Sequence, residues 1–276
     1  TDNSGATWIY KQTLIPSDGQ PNDRFGKDVA ICQNIIVVGA SQDGSVNPGS
    51  GAAYVFINNG TTWIQSQKLT ASNGAIGDSF GYSVNISRND SNVAPAFILV
   101  VGAYNHHSNS ISDSGSAYIY SSTDNGNTWS QVQELNASDG LNSDFFGRAV
   151  AVDYPYIAVG APGSNSYACS TLDKIDTGSV YMYCGTGGGL IWTFKQKIVS
   201  LNISSYEYFG SSVSLSGNLM VVGAYGDPFD PSGSSMGAAY IFITTDNGST
   251  WTITQKIVPM DREADGNFGY YYSVAI

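Results

Sequence analysis

The sequence predicts an all-β chain, a β-propeller of four-stranded antiparallel blades with four complete repeats and a partial fifth. Three observations predict it. Five tryptophans recur along the 276 residues, a Phe-Gly pair stands at one constant distance after each, and no segment sustains a helical period.

Trp8, Trp63, Trp129, Trp192 and Trp251 are spaced by 55, 66, 63 and 59 residues. Phe-Gly follows each by 17 residues, at Phe25-Gly26, Phe80-Gly81, Phe146-Gly147, Phe209-Gly210 and Phe268-Gly269. A Val-Gly-Ala triplet comes next, at 38–40, 101–103, 159–161 and 222–224. An aromatic run closes each unit: Tyr54-Val55-Phe56, Tyr118-Ile119-Tyr120, Tyr181-Met182-Tyr183 and Tyr240-Ile241-Phe242. The constant Trp-to-Phe distance puts length variation elsewhere, after Val-Gly-Ala and between Asn89 and Ala96.

Each repeat reads as four short strands. One follows Phe-Gly, as in Tyr82 to Ile86. One is nearly all apolar, as in Ile35 to Val38, and is expected to be buried on both faces. One is the aromatic run. One carries Trp and an aliphatic end, as in Trp63 to Leu69, and a strand of this kind is expected around Trp8 as well. Four-stranded units without covering helices bury both faces by stacking radially. Glycine permits the close backbone approach that crowding near the axis demands. Phe and Val then fill the space between blades, each burial contributing about 1.5–3 kcal/mol.

Residues 1–276 are thus expected to form a single propeller region, with repeats at approximately 8–56, 63–120, 129–183 and 192–242 and a partial one at 251–276. The region is either a fragment of a larger ring or a unit of an open assembly. A start at Thr1 suggests a removed leader or an excised region, and no signal peptide is visible. The net charge of -11 disfavours nucleic acid as a partner, because an acidic surface repels phosphates. No run of 18 apolar residues is present, so no membrane span is expected.

Cys169 and Cys184 lie 15 residues apart around a predicted loop and strand, and are placed to close a disulfide; Cys32 is left over. Six sequons, at Asn59, Asn85, Asn89, Asn136, Asn202 and Asn247, are candidate glycan acceptors. Cysteines and sequons together point to a secreted or cell-surface glycoprotein.

At the recurring Phe-Gly and Gly-Ala pairs the chain resembles the FG-GAP repeat family, the units of the integrin α-subunit propeller. The resemblance covers essentially the whole chain and implies adhesion or interaction with protein or glycan. The turns Ser122 to Trp129 and Thr244 to Trp251 also resemble the Asp-box hairpins of sialidase-like propellers, with Asp124 and Asp246 accepting backbone N–H groups and Gly126 and Gly248 taking positive φ. Degenerate copies carry Asn3 and Asn58 in place of Asp. The calcium loops implied by the family resemble Asp-x-Asp-x-Asp-Gly; here Gln42-Asp43-Gly44 and Asp227-Pro-Phe-Asp230 stand as weak substitutes. No cofactor is assigned, and Ca2+ is kept as a possibility without the usual loop motif.

Two residues before Phe, the repeats carry Asp23, Asp78, Asp144 and Glu207. One reading is a ring of carboxylates converging on a cation or polar ligand. The other is that each caps its own turn, which any repeat would reproduce. His106 and His107, the only histidines, read as a solvated loop pair with no metal-ligand spacing around them. The strand tyrosines read as blade core rather than a sugar-stacking platform. Of the four arginines, Arg24 and Arg148 flank Phe-Gly on opposite sides, Arg88 lies in an inserted loop, and Arg262 is in the last repeat. A sialidase site needs several to converge.

The function expected from these residues is a non-enzymatic extracellular module. It is expected to bind a protein or glycan ligand, or copies of itself, through unpaired terminal strands that would extend into a filament. A sialidase-like glycoside hydrolase or carbohydrate-binding propeller is the alternative.

Overall fold

The computed structural model describes residues 7–89, 95–165, 175–201, 204–228, 237–258 and 274–276. They form four sheets, each of four antiparallel strands in chain order. Blade one comprises β1 (Phe25–Cys32), β2 (Ile35–Ala40), β3 (Ala52–Asn58) and β4 (Trp63–Leu69). Blade two comprises β5 (Ser83–Arg88), β6 (Phe97–Ala103), β7 (Ser116–Ser122) and β8 (Ser130–Leu135). Blade three comprises β9 (Ala149–Asp153), β10 (Tyr156–Ala161), β11 (Ser179–Thr186) and β12 (Ile191–Ile198). Blade four comprises β13 (Phe209–Ser216), β14 (Leu219–Ala224), β15 (Ala238–Ile243) and β16 (Thr252–Ile257).

The Phe-Gly strands are innermost. β1 packs on β5, β5 on β9 and β9 on β13, around an axis where residues of all four line one cavity. Among the described residues, β13 makes no comparable contact with β1. The apolar second strands β6 and β10 are wholly buried, because each is covered by a blade on both faces.

The motif residues form the interfaces between blades. Phe80, Phe146 and Phe209 are fully buried, each edge-on or tilted against the first tyrosine of its own aromatic strand, with centroids 5.5, 5.3 and 5.3 Å apart. Beside them runs a backbone seam. The N–H groups of Gly77, Ser79 and Phe80 donate to the carbonyls of Pro48, Gly49 and Ser50 at 3.0, 3.1 and 2.9 Å. Ser143, Phe145 and Phe146 donate to Ser112, Asp113 and Ser114 at 3.0, 3.1 and 2.9 Å, and Tyr206, Tyr208 and Phe209 to Ile175, Asp176 and Thr177 at 2.9, 3.0 and 3.0 Å.

The seam dictates glycine. A Cβ on Gly102 would lie 1.9 Å from the Gly147 carbonyl oxygen of the next blade, and one on Gly115 would lie 2.0 Å from that of Phe146. The Gly-Ala step of one blade and the Phe-Gly step of the next are therefore two sides of one backbone contact.

A second device joins the outer strands. In every blade the register slips between the third and fourth strands, for example between Ile119 and Tyr120, and this bulge re-aims the outer strand. The glutamine just past the slip reaches the next blade's tryptophan backbone. Gln133 Nε2 donates to the Trp192 carbonyl at 2.9 Å while its Oε1 accepts the Trp192 N–H at 2.9 Å. Gln67 grips Trp129 and Gln196 grips Trp251 in the same way.

The expected strand around Trp8 is not formed; the first strand is β1. No described strand makes a backbone ladder with this segment, and Trp8 is 88% exposed. Gln12 nevertheless grips Trp63 N–H and carbonyl at 2.9 and 2.8 Å, as its counterparts do. The fifth Phe-Gly pair, Phe268-Gly269, lies outside the described residues.

Gly102→Ala is expected to cost at least about 3 kcal/mol, because backbone rather than a flexible side chain must give way. Gly26→Ala, whose Cβ meets nothing within 4 Å, is expected to cost only the roughly 1–2 kcal/mol of positive-φ strain. Urea unfolding of the two variants checks the contrast.

Candidate functional site

The four repeated acids do not form a ring. Asp23, Asp78, Asp144 and Glu207 are all buried, each within its own blade. Asp23 accepts the Gln20 N–H at 2.6 Å, Asp78 that of Ala75 at 2.7 Å and Asp144 that of Leu141 at 2.9 Å. Glu207, one methylene longer, accepts the Ser200 hydroxyl at 2.5 Å. Each closes its own turn. Burial pushes Asp144 up to about 6 and Glu207 up to about 7, and one carboxylate oxygen of each has no hydrogen-bond partner.

Beside each acid lies a polar cluster that the sequence reading missed. In blade one, Lys68 Nζ lies 2.6 Å from Asp18 and 2.8 Å from Asp43, and the Tyr54 hydroxyl donates to both carboxylates. Burial alone would raise the Asp43 pKa, but hydrogen bonds from Lys68, Ser45 and Tyr54 hold it down at about 2. In blade three Lys197 and Tyr181 share Asp139, and in blade four Lys256 and Tyr240 share Asp227. A lysine five residues after three of the tryptophans, Trp63, Trp192 and Trp251, is the signal that would have found these clusters.

Blade two inverts the charges. Glu134 stands where the other blades have lysine, and His106 stands where Asp43 and Asp227 do. The expectation of two solvated histidines holds for exposed His107 and fails for His106, which is 6% exposed. Its Nδ1 lies 2.8 Å from Asp78 Oδ2 and its Nε2 3.7 Å from Glu134. Its imidazole pairs with the acids in a cluster where position 134 carries no lysine. Burial depresses its pKa, and the Asp78 hydrogen bond with the Asp78 and Glu134 charges more than reverses this, leaving it raised.

These donor sets suit internal ion pairs better than calcium. Asp43 Oδ2 already receives Lys68 and Tyr54, and Oδ1 receives Ser45. No group of three or more His, Cys, Asp or Glu is placed to hold a metal among the described residues. Asp230 lies outside them.

The residue after each Phe-Gly emerges at the axial end where the inner strands begin. There Lys27 lies 4.3 Å over the Tyr82 ring, and the Arg148 guanidinium lies 5.5 Å from Tyr82 and 5.4 Å from Tyr104. Tyr104 packs 4.4 Å from Tyr82 and 5.8 Å from Phe145. On blade four, Tyr208 stacks on Tyr225 at 4.7 Å and 5°, with exposed Tyr206 beside them. The strand tyrosines, by contrast, are core as expected. Lys27, Tyr82, Arg148 and Ser211 occupy one repeat position, so its variation among cationic, aromatic and hydroxyl side chains was the sequence signal for a non-structural role.

The arginines do not converge. Arg148 joins the aromatic band, Arg24 borders a groove at the edge of blade one, and Arg88 lines a polar axial cavity of about 500 Å³ at the far end of the inner strands. Arg262 lies outside the described residues. The axial cavity between them, about 220 Å³, has Asp28 as the only carboxylate among its described lining residues.

The sequons differ in placement. Asn59 and Asn247 are exposed at hairpin tips between third and fourth strands. Asn85 lines the axis, Asn136 is packed into the blade-two cluster, and buried Asn89 donates both amide hydrogens, to Pro95 and Gly188. Asn202 lies outside the described residues, as does Cys169; Cys184 is half-buried on β11. In the hairpins, Asp124 and Asp246 accept the N–H and hydroxyl groups of Thr128 and Thr250. In blade one Asn59, rather than the expected Asn58, receives the Thr62 N–H; the span from aromatic strand to Trp is two residues shorter there.

The model of the FG-GAP repeat family matches residues 8–56, 63–120, 129–183 and 192–242. Over 126 residues the chain is 31% identical to integrin alpha-E of Mus musculus, an alignment covering 43% of this chain and 10% of that much longer protein. Among solved structures, the alpha-L-arabinofuranosidase Arb93A of Fusarium graminearum matches with a TM-score of 0.54 at 14% identity, over 90% of this chain and 70% of its own. A protein from Lactobacillus plantarum matches with a TM-score of 0.51 at 10% identity, over 86% and 57%. At such identities the likeness is one of fold.

His106 and Glu207 make stability depend on pH in the same direction. The folded pKa of His106 lies above its unfolded value of about 6.5, so its contribution is complete below that value and is lost as pH rises through the folded pKa. Glu207 favours its protonated form in the fold, so its penalty grows as pH rises from its unfolded value toward about 7. Glu207→Gln is expected to stabilise the protein at pH 8 by about 2 kcal/mol and to change little at pH 4. Urea midpoints at the two pH values measure this.

Proposed function

The chain belongs to the FG-GAP repeat family, and from that premise we propose that it is a non-enzymatic, extracellular or cell-surface binding module. The observation that carries this reading is the band of Lys27, Tyr82, Arg148 and Tyr104 across three blades at the axial end. Other recurring residues are consumed by the scaffold: Phe and Gly by the seams, the acids by turns, the lysines by internal ion pairs. The band holds two half-buried cations over the buried Tyr82 ring on a protein of net charge -11, which suits a carboxylate-bearing protein or glycan ligand. Exposed sequons at Asn59 and Asn247 support the extracellular placement. None of the described helices is long and apolar enough to cross a membrane.

Self-assembly is a second reading, favoured by the exposed apolar face of β1, where Val29 and Ile31 are 62% and 65% exposed. Head-to-tail addition of copies at that face would build a filament. The glycoside-hydrolase alternative draws on the fold likeness to the arabinofuranosidase. Against it stand, among the described residues, the scattered arginines and the single carboxylate lining the 220 Å³ axial cavity, where hydrolysis of a glycosidic bond uses two flanking carboxyl groups.

Screening the purified chain on immobilised extracellular proteins and glycans tests the binding reading. Arg148→Glu is expected to weaken the captured interaction at least about tenfold while leaving the melting temperature nearly unchanged. Turnover of a sialoside or arabinofuranoside panel, lost with Arg24 or Arg148 variants, would replace this reading with the enzymatic one. Added calcium is expected to leave the melting temperature unmoved.

A further inference from the structure

The seam between blades three and four carries an aromatic group that the scaffold does not require. At the third residue before each Phe, and again at the one just before it, the backbone takes positive φ. The angles are 75° and 57° at Asn22 and Arg24, 83° and 61° at Gly77 and Ser79, 64° and 58° at Ser143 and Phe145, and 64° and 53° at Tyr206 and Tyr208. Glycine or asparagine is at ease there, and a bulky side chain is not. Yet the seam N–H groups of Gly77 and Ser79 reach their carbonyls at 3.0 and 3.1 Å, and those of Tyr206 and Tyr208 at 2.9 and 3.0 Å. The seam therefore forms equally well without a tyrosine at either position. Tyr206 is 50% exposed, so burial does little to offset its strain. What the tyrosines do is gather rings. Tyr208 stacks on Tyr225 with centroids 4.7 Å and planes 5° apart, and Tyr206 lies 6.4 Å from Tyr208 at 43°. Tyr225 follows Val-Gly-Ala, where blades one and three have Ser41 and Pro162. From the blade-three side of the seam, the half-buried Asp176 carboxylate accepts the Tyr208 hydroxyl. The backbone beneath is fixed: a Cβ on Gly226 would lie 1.8 Å from the Tyr206 carbonyl oxygen.

We propose that Tyr206, Tyr208 and Tyr225 form a stacking platform for a neutral glycan of β-linked, all-equatorial hexopyranoses, with Asp176 accepting its hydroxyls. An aromatic face is electron-rich and attracts polarised C–H groups. A pyranose with equatorial substituents presents only axial C–H groups on its ring faces, so it lies flat on such a platform. Its hydroxyls point outward around the rim, where a carboxylate is an acceptor with lone pairs to spare beyond the one Tyr208 uses. Because the seam holds the rings in place, little freedom is lost on binding. Asp176 and the net charge of -11 disfavour an acidic sugar by like-charge repulsion. The inference goes beyond the ligand-binding reading above, in which Lys27 and Arg148 call for a carboxylate. Failure of glycan binding on the blade-four rings leaves that reading standing, and the converse also holds.

The test titrates the full chain, isotope-labelled, with cellotetraose. Saturable shifts of the Tyr206, Tyr208 and Tyr225 ring signals are expected, with magnetisation transfer from those rings to the axial sugar protons. Tyr206→Asn installs the blade-one residue, and Tyr208→Ser the blade-two residue. Each is expected to hold or raise the melting temperature, because the smaller side chain suits positive φ, and to weaken cellotetraose at least about tenfold. Tyr206→Phe keeps the ring and is expected to stay within about twofold of the unaltered chain. Cellotetraose oxidised at C6 to the uronate is expected to bind at least about tenfold more weakly. Absence of ring shifts at about 10 mM cellotetraose overturns the proposal. So does unchanged affinity in whichever of the first two variants folds, a lowered melting temperature in both, which would make the rings packing elements, or equal or tighter binding of the uronate.

Discussion

Contact between the backbone of one blade and the backbone of the next holds this molecule together. At each interface the Phe carbonyl points at a glycine of the preceding blade, and the carbonyl of the glycine after Phe points at the Gly of Gly-Ala. Nothing larger than hydrogen fits at either place. Because the blades approach this closely, three N–H groups reach three carbonyls, and the buried Phe ring fills the wedge between sheets. Elsewhere in the chain the same geometry is repeated with different side chains, which is why insertions collect in loops and not in the Trp-to-Phe span.

Around that contact the structure adds two further ties per blade. The outer tie is the glutamine grip on the next tryptophan backbone, made possible by a bulge that turns the glutamine outward. The inner tie is polar: a tyrosine hydroxyl, a lysine and one or two aspartates near the turn that begins the blade. A buried ion pair is costly unless its hydrogen bonds are complete, and here the tyrosine completes them. Blade two builds its cluster from other residues: Glu134 takes the strand position of the lysines, and His106 in the loop lies against Asp78 and Glu134. That exchange puts an imidazole where blades one and four have an aspartate.

With the recurring chemistry used inside the scaffold, the positions free to vary are those just outside it. The residue after Phe-Gly is one: it leaves the seam at the axial end, and its side chain faces its counterparts in adjacent blades. Lys27, Tyr82 and Arg148 meet there because the seams fix the inner strands side by side. Blades packed in this way offer side chains at fixed separations, so little entropy is lost on binding.

The repeat, the number and order of strands and the blade core were legible in the sequence. They depend on local period and on glycine and aromatic spacing, which repetition amplifies: the strand predicted from Trp63 to Leu69 has those bounds in the structure. The turn-capping role of Asp78 and Asp144 was legible too, because a cap acts within its own few residues. What the sequence did not show were contacts between residues far apart in the chain. Lys68 with Asp18, His106 with Asp78 and Glu134, and Lys27 with Tyr82 and Arg148 are brought together only when sheets pair and blades stack. The strand expected at Trp8 failed for the same reason: its residues favour a strand, and a strand needs a neighbour that tertiary structure alone supplies.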